Sequence, residues 1–418
     1  MSKILYEVGV RAYGMGVRLA APFLPKAAQW VNGRKEIFEE IRSKLQANTA
    51  PLAWFHCASL GEFEQGRPLI EAFKQRFPGY KIVLTFFSPS GYEVRKNYTG
   101  ADFIFYLPLD TAHNAHQFLS LVNPVLAVFV KYEFWHHYTK ALRKRHIPLF
   151  SVSALFRPNQ IYFRKKGGFY RRILERFTHI YTQNAESAQL LASINFTKVS
   201  TAGDTRVDRV LQTAANVVPI PLAEAFKDNA PTMVIGSSWP EDLQVLLPFM
   251  QEQVPQLKFI LAPHEIKDKE LSEIEEQFPG QVIRFSKADA ATVATYRILL
   301  IDNIGMLSSL YQYADYAYVG GAFGKGLHNT LEPAAFGPPI FFGPKYAKFQ
   351  EAKDLVDAQA AFCVKSTQEL NKKFLAVHGN PAALQKIRAT TQAYLQKQAG
   401  ATDRILTSLE YWLPSRQV

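Results

Sequence analysis

The segment Gly320-Gly321-Ala322-Phe323-Gly324-Lys325-Gly326-Leu327-His328-Asn329-Thr330-Leu331-Glu332-Pro333 joins a glycine-dense loop to polar side chains at helical spacing. An apolar run, Tyr316 to Val319, leads into it, and the pattern predicts a helix opening after it. In that order backbone N–H groups can close on an anion while a helix N-terminus faces it, which suits a phosphate-bearing ligand. Asn329 and Glu332 fall one turn apart and could reach the rest of a nucleotide. The same pair also reads as an N-cap and its N3 acid, a purely local role.

A second constellation is His56-Cys57-Ala58-Ser59-Leu60-Gly61-Glu62-Phe63. A strand ends there, a short loop turns and a helix begins, so Glu62 falls at the carboxyl edge of a sheet. A partly desolvated carboxylate at that edge could act as general base on a hydroxyl. Ser59 and Glu62 are also spaced as a capping box, and that alternative stays open. Val130-Lys131-Tyr132-Glu133-Phe134-Trp135 ends another strand, with Lys131 and Glu133 as a salt bridge or a charge pair facing the ligand. Arg206, in Gly203-Asp204-Thr205-Arg206-Val207-Asp208, is a further edge cation, solvated or paired with Asp204 or Asp208.

These side chains need a scaffold that brings strand ends together. Strands are predicted at Leu52–Ala58, Lys81–Phe87, Phe103–Leu107, Val125–Val130, Pro148–Val152 and His179–Gln183. Amphipathic stretches such as Phe63–Phe77 and Ala112–Leu121 lie between them. This alternation implies a parallel sheet covered on both faces. A stretch with Pro219 and Pro221, residues 211–231, reads as an interdomain linker. The rhythm restarts with Met233–Gly236, Lys258–Ala262, Val282–Phe285, Ile298–Ile301, Tyr316–Val319 and Ile340–Phe342. Two doubly wound domains put a ligand cleft at the carboxyl ends of their sheets.

The chain has 418 residues, too many for one ordinary core, and its net charge is +12, which favours an anionic partner. Cys57 and Cys363 lie in apolar runs without metal spacing and read as buried thiols. No His-x-x-x-His or Asp-x-Asp pair suggests a catalytic metal. Ile4 to Ala21 is apolar apart from Glu7, Arg11 and Arg18, which with Gly14 share one helical stripe. It reads as an interfacial helix on anionic lipid, with Arg11, Arg18, Lys26, Arg34 and Lys35 near the headgroups and Trp30 at the boundary. The alternative is a helix packed on the protein's own surface. The run from Arg157 to Arg176 interleaves Arg157, Arg164, Lys165, Lys166, Arg171, Arg172 and Arg176 with Tyr162, Phe163, Phe169 and Tyr170. No nucleic-acid-binding motif accompanies it, so it reads as a phosphate- or lipid-facing surface or a solvated helix face, and nucleic acid is not an expected partner.

Ser59-Leu60-Gly61-Glu62, Ser88-Pro89-Ser90-Gly91, Tyr132-Glu133-Phe134-Trp135, Gln183-Asn184, Gly203-Asp204-Thr205-Arg206 and Gly326-Leu327-His328-Asn329-Thr330-Leu331-Glu332-Pro333 occur in that order. Together with the basic N-terminus they resemble the landmarks of 3-deoxy-D-manno-octulosonic acid (Kdo) transferases over nearly the whole chain. The resemblance implies an α/β GT-B fold: two Rossmann-like doubly wound domains, an interdomain cleft and an N-terminal membrane-associated helix. It divides the chain into an anchor at 1–35, an acceptor domain at 36–210, a linker at 211–231 and a CMP-Kdo-binding domain at 232–418, with the last helix able to pack back on the N-terminal domain. It implies inverting, metal-independent transfer of Kdo from CMP-Kdo to a lipid A precursor of lipid IVA type, without a cofactor. The expected location is the cytoplasmic side of the inner membrane of a Gram-negative bacterium, in lipopolysaccharide biosynthesis.

By the same resemblance Glu62 is the general base and Arg206 stands where a transition-state lysine is usual. Nucleotide contacts fall on Pro263, His264, Ile304, Gly305, Met306, Asn329, Thr330, Leu331 and Glu332. Two residues depart from the pattern. Lys131 reverses the charge of a common glutamate, leaving Glu133 as the acid of that motif, and His264 replaces a common arginine. The rival readings are another GT-B enzyme, such as a nucleotide-sugar epimerase or a transferase with a different donor, and a non-catalytic membrane- or nucleic-acid-binding protein.

Overall fold

A computed structural model describes residues 3–253 and 255–413. Residues 1–2 of the expected anchor, and residues 254 and 414–418 of the expected C-terminal domain, lie outside the described residues. The chain divides into two units, Met1–Asp208 with Gln398–Val418, and Arg209–Lys397.

The first unit is built on seven parallel strands: β1 (Leu52–Cys57), β2 (Lys81–Phe86), β3 (Phe103–Tyr106), β4 (Leu126–Val130), β5 (Leu149–Ala154), β6 (His179–Thr182) and β7 (Val199–Thr201). Their order is 3-2-1-4-5-6-7. β1 and β4 are buried at every residue, which is why they read as unbroken apolar runs and not as alternating ones. The chain winds outward from β1 in one direction through β2 and β3, then returns to β4 and winds the other way. The crevice at the carboxyl ends of β1 and β4 is therefore a switch point.

The second unit repeats the plan with β8 (Thr232–Ser238), β9 (Lys258–Pro263), β10 (Val282–Arg284), β11 (Ile298–Leu300), β12 (Tyr316–Val319), β13 (Ile340–Phe342) and β14 (Ala361–Cys363), all parallel. The order 10-11-9-8-12-13-14 places its switch point between β8 and β12. The sequence pattern missed β7 and β14, the outer strands on one side of each sheet. Each has three residues, too few to show a period. The stretch 211–231 carries the end of the helix Thr205–Ala215 and a second helix, Pro221–Lys227. The helix Ala401–Glu410 belongs to the first unit. Asp208 fixes its start by accepting hydrogen bonds from the backbone N–H of Gly400 (2.6 Å) and Thr402 (2.7 Å).

The N-terminal helix, Lys3–Ala20, packs inward through Tyr6 and Gly14, while Arg11 and Arg18 of its polar stripe stay exposed. The Tyr6 hydroxyl donates to Asp110 at 2.5 Å, and Gly14 is buried beside Leu109. The apolar side chains Ile4, Leu5, Val8, Met15 and Leu19, followed by Phe23 and Leu24, remain 55–82% exposed. No helix among the described residues is long and apolar enough to cross a membrane.

Two expected headgroup contacts are corrected by packing. Trp30 is buried, and Arg34 enters an aromatic box. The Arg34 guanidinium lies 4.0 Å from the Trp30 ring centroid, 4.9 Å from that of Phe87 and 4.6 Å from that of Tyr106. It donates to the carbonyls of Leu107 (2.9 Å), Trp30 (3.0 Å) and Phe87 (2.6 Å). Burial pushes its pKa down to about 9, so the charge is retained at neutral pH. Only the rigid guanidinium fork serves several carbonyls at once, and sequence spacing does not reveal that demand. In the basic run, Phe169 is buried against Tyr6 and His136, and the half-buried Tyr162 packs on Phe134. Cys57 is buried as expected, whereas Cys363 is only partly buried.

Arg34→Met keeps the stem but leaves the three carbonyls without their donor. Urea unfolding of the first unit should show a loss of roughly 3 kcal/mol, with Arg34→Lys recovering only part of it.

Candidate active site

In the first unit the candidate residues gather at the β1/β4 switch point. β1 ends at Cys57, and the helix Leu60–Arg76 starts from Ser59. Glu62 Oε2 accepts hydrogen bonds from the backbone N–H of Ala58 (2.6 Å) and Ser59 (3.2 Å). The capping role is therefore real, yet it uses a single oxygen. Oε1 has no hydrogen-bond partner among the described residues. Burial, and then the neighbouring Glu133 charge, raise the Glu62 carboxyl to about 8. The two backbone donors and the Lys131 charge pull in the opposite direction.

Lys131 and Glu133 follow β4. Lys131 sits in the left-handed region at φ 61°, which bends the chain sharply off the strand end. Its backbone is fixed by Lys131 N–H donating to Val152 O (2.9 Å) and by the Ser151 hydroxyl donating to Lys131 O (3.2 Å). Glu133 Oε2 accepts from Trp135 Nε1 at 2.6 Å and lies 3.3 Å from His56 Nε2. His56 is fully buried in β1, and its Nδ1 lies 3.1 Å from the carbonyl of Thr85. Nδ1 also lies 2.9 Å from the Thr85 hydroxyl, and Nε2 on the far side of the ring faces Glu133. His56 and Trp135 are site residues that the sequence reading did not select. A lone histidine inside a strand carries no signal of the carboxylate waiting beyond it.

Arg206 is paired, as one of the sequence alternatives had it. Asp204 accepts from Arg206 Nε (3.1 Å), Nη2 (2.6 Å) and the Arg206 backbone N–H (3.0 Å). Despite burial, the Asp204 carboxyl titrates below the ordinary range, held there chiefly by Arg206. Part of the Arg206 charge is thus compensated within its own turn.

In the second unit three separated candidate segments lie near the carboxyl end of β8. Pro263 ends β9, and His264 N–H donates to Ser238 O at 2.9 Å. Ile304 is 93% exposed, Gly305 has φ 100°, and Met306 opens the turn Leu307–Leu310. Leu307 and Tyr311 close over Gly236, where a Cβ would meet Tyr311 Oη at 2.1 Å. Gly320 N–H donates to Gly236 O (2.9 Å), and a Cβ on Gly320 would meet Ser237 O at 2.2 Å. Ser237 itself has φ 54° at a register shift of β8, which turns Ser238 and Trp239 out of the regular pleat.

The glycine loop differs from expectation in one respect. The helix after it is a single turn, Leu331–Ala334, too short to develop the dipole imagined for an anion. The loop is organised instead by Asp242, buried at the start of the helix Pro240–Gln253. Its carboxylate accepts from the N–H of Gly321 (2.7 Å), the N–H of Trp239 (2.9 Å) and the Tyr318 hydroxyl (3.1 Å). Asn329 and Glu332 bond each other, Nδ2 to Oε1 at 3.0 Å, and Asn329 Oδ1 accepts from Leu331 N–H at 3.1 Å. Thr330 and Leu331 are fully buried.

An aromatic group fills the mouth of this region. The Trp239 and His264 rings stack with centroids 4.2 Å apart, and His328 lies 4.5 Å from His264. Trp239 Nε1 donates to His328 Nε2 at 3.0 Å. Burial, and then the nearby His264, push His328 down to about 4, so it is a neutral acceptor. Asp242 and Trp239 also escaped the sequence reading. Asp242 had a signal, an acid three residues beyond Trp239 at a helix start.

Residues 32–209 match the family model for 3-Deoxy-D-manno-octulosonic-acid transferase (kdotransferase). The chain is 26% identical to a 3-deoxy-D-manno-octulosonic acid transferase of Haemophilus influenzae, covering 86% of this chain and 87% of that one. It is 28% identical to the Aquifex aeolicus protein of the same name, over 82% and 92% of the two chains. Over most of its length the chain is similar to 3-deoxy-D-manno-octulosonic acid transferases, and its N-terminal part matches their family model. The architecture is GT-B. A UDP-GlcNAc 2-epimerase from Neisseria meningitidis superposes with a TM-score of 0.60 at 14% identity, over 87% of this chain and 100% of that one. MurG from Acinetobacter baumannii does so with 0.54 at 12% identity, over 87% and 99%. At those identities the likeness concerns the fold alone.

The Glu62 geometry costs the fold stability. The folded carboxyl titrates near 8 against an ordinary 4.5, so the fold favours its protonated form. The resulting destabilisation is absent below about pH 4.5, grows as pH rises through the interval and is complete above about 8. Glu62→Gln keeps an acceptor for the cap and removes the charge. Its thermal midpoint should match the parent at pH 4 and exceed it at pH 8.5 by roughly 2–4 °C, the shift that about 1 kcal/mol produces in a unit of this size.

Proposed function

We propose that the protein transfers Kdo from CMP-Kdo to a lipid A precursor of lipid IVA type, with inversion at the anomeric carbon. Glu62 carries this reading. It is a carboxylate at a switch point, oriented through one oxygen by two backbone N–H groups, with its other oxygen uncommitted and its basicity raised. In its ionised form Glu62 takes the proton of an acceptor hydroxyl as that oxygen attacks the anomeric carbon. The bond from anomeric carbon to phosphate oxygen breaks, and CMP leaves with the electron pair. A single displacement of this kind inverts the centre.

Lys131 and Arg206 supply positive charge for the donor's carboxylate and phosphate, and Glu133, held by Trp135 and His56, keeps Glu62 basic. The leaving group carries one phosphate, so transfer without a metal clamp is reasonable chemistry. The nucleotide is assigned to Pro263, His264, Ile304, Gly305, Met306, Asn329, Thr330, Leu331 and Glu332. Their three segments meet on the end of β8, a location suited to a nucleotide. Because the Leu331 side chain is buried, its contribution would come through the main chain.

Incubation with CMP-Kdo and the lipid precursor should release CMP. Glu62→Gln should cut the rate by at least roughly a hundredfold while CMP-Kdo still binds. With Glu62 acting as base, log kcat/KM should rise with unit slope at acidic pH and level off near 8, following the ionised fraction. Undiminished CMP release by Glu62→Gln would reduce this residue to a helix cap.

The exposed apolar face of the N-terminal helix supports a peripheral location on the cytoplasmic face of the inner membrane. Replacing Val8, Met15 and Leu19 together by Glu should abolish sedimentation with anionic vesicles and leave the thermal midpoint unchanged. Continued vesicle binding by this variant would shift the attachment to another surface.

A further inference from the structure

Lys325 stands between Gly324 and Gly326 at the exposed tip of the loop after β12. Its Nζ lies 3.9 Å from the Trp239 ring centroid. Carboxylates are close by, since Glu241 and Glu265 line the same cavity, yet Lys325 forms no ion pair among the described residues. Glu265 is engaged by Lys267 at 2.6 Å. The cavity, about 210 Å³, is lined by Ser238, Trp239 and Lys325 at the β8/β12 switch point. That is room for a phosphate or a carboxylate together with part of a sugar. Ser238 is 3% exposed, and its hydroxyl has no hydrogen-bond partner among the described residues. A hydroxyl buried and unbonded is costly unless a ligand completes it.

The neighbouring groups cannot supply the charge an anionic ligand needs here. His328 accepts from Trp239 through the nitrogen that would have to be protonated. His264 is stacked on Trp239, and its burial disfavours the imidazolium. Lys325 is the one cation lining this cavity that is not ion-paired among the described residues. Its resting contact, a cation over a half-buried ring, is readily exchanged for an anion.

We infer that Lys325 binds an anionic group of the donor in this cavity, with the Ser238 hydroxyl as second donor and the Trp239 ring as the place where the lysine rests when the site is empty. The inference rests on the donor reading above and adds a subsite to it. The anion is either the nucleotide phosphate or the sugar carboxylate, and one set of titrations separates them.

Calorimetric titration of the full-length protein with CMP-Kdo, CMP and cytidine comes first. If neither CMP-Kdo nor CMP binds, the donor reading falls and this inference with it. Where they bind, Lys325→Met should weaken CMP-Kdo roughly tenfold or more, the loss of one charge-assisted contact, and leave cytidine unchanged. A parallel loss for CMP assigns Lys325 to the phosphate, and unaltered CMP affinity assigns it to the carboxylate. Lys325→Arg should stay close to the parent. Parental CMP-Kdo affinity in Lys325→Met, an equal loss for cytidine, or a Lys325→Arg as weak as Lys325→Met would each overturn the inference.

Discussion

A parallel sheet whose first strand lies in its interior must be wound outward from that strand in two directions. Crossovers are right-handed, so the two halves place their helices on opposite faces, and the loops leaving β1 and β4 diverge. The same holds for β8 and β12 in the second unit. The crevice left at the carboxyl ends is bordered by loops free to carry polar groups, above strands too apolar to carry any. Glu62, Lys131 and Glu133 border one such crevice. Ser238, Trp239 and the glycine loop border the other.

Buried carboxylates then give those loops their shapes. Asp242 gathers two backbone N–H groups and a tyrosine hydroxyl, joining the start of one helix to the turn after β12. Asp204 folds Arg206 back onto its own turn, and Asp208 fixes the first residues of the last helix. A carboxylate can serve several N–H groups at once, so each replaces capping bonds that a loop backbone could not make alone. Arg34 does the converse, one rigid cation serving three carbonyls. These polar centres hold the loops still enough to present the remaining charges.

Glu62 combines the capping contact with a second oxygen left without a hydrogen-bond partner among the described residues. A carboxylate has two oxygens, and a capping interaction needs one. The cap fixes the side-chain orientation, while burial and the Glu133 charge make the other oxygen a stronger base. Ionising the group in that setting costs the fold stability.

The strand and helix rhythm, the two-unit plan and the positions of Glu62, Lys131 and Glu133 at strand ends were all legible in the sequence, because apolar period and chain punctuation are local properties. The glycine loop announced a close backbone approach, and Gly236 and Gly320 are where backbone and side chains do come together. Other features were settled only by tertiary contact. Trp30 and Arg34 look like a membrane-facing pair in one dimension and are an internal aromatic box in three. His56 gains its carboxylate partner from the loop after β4, more than seventy residues away. The loop after β12 owes its shape to Asp242 and not to the one-turn helix that follows it. Sequence spacing records what a segment can form by itself. Which charges end up buried, paired or left over for a ligand depends on groups brought together across the sheet, and only the folded chain determines that.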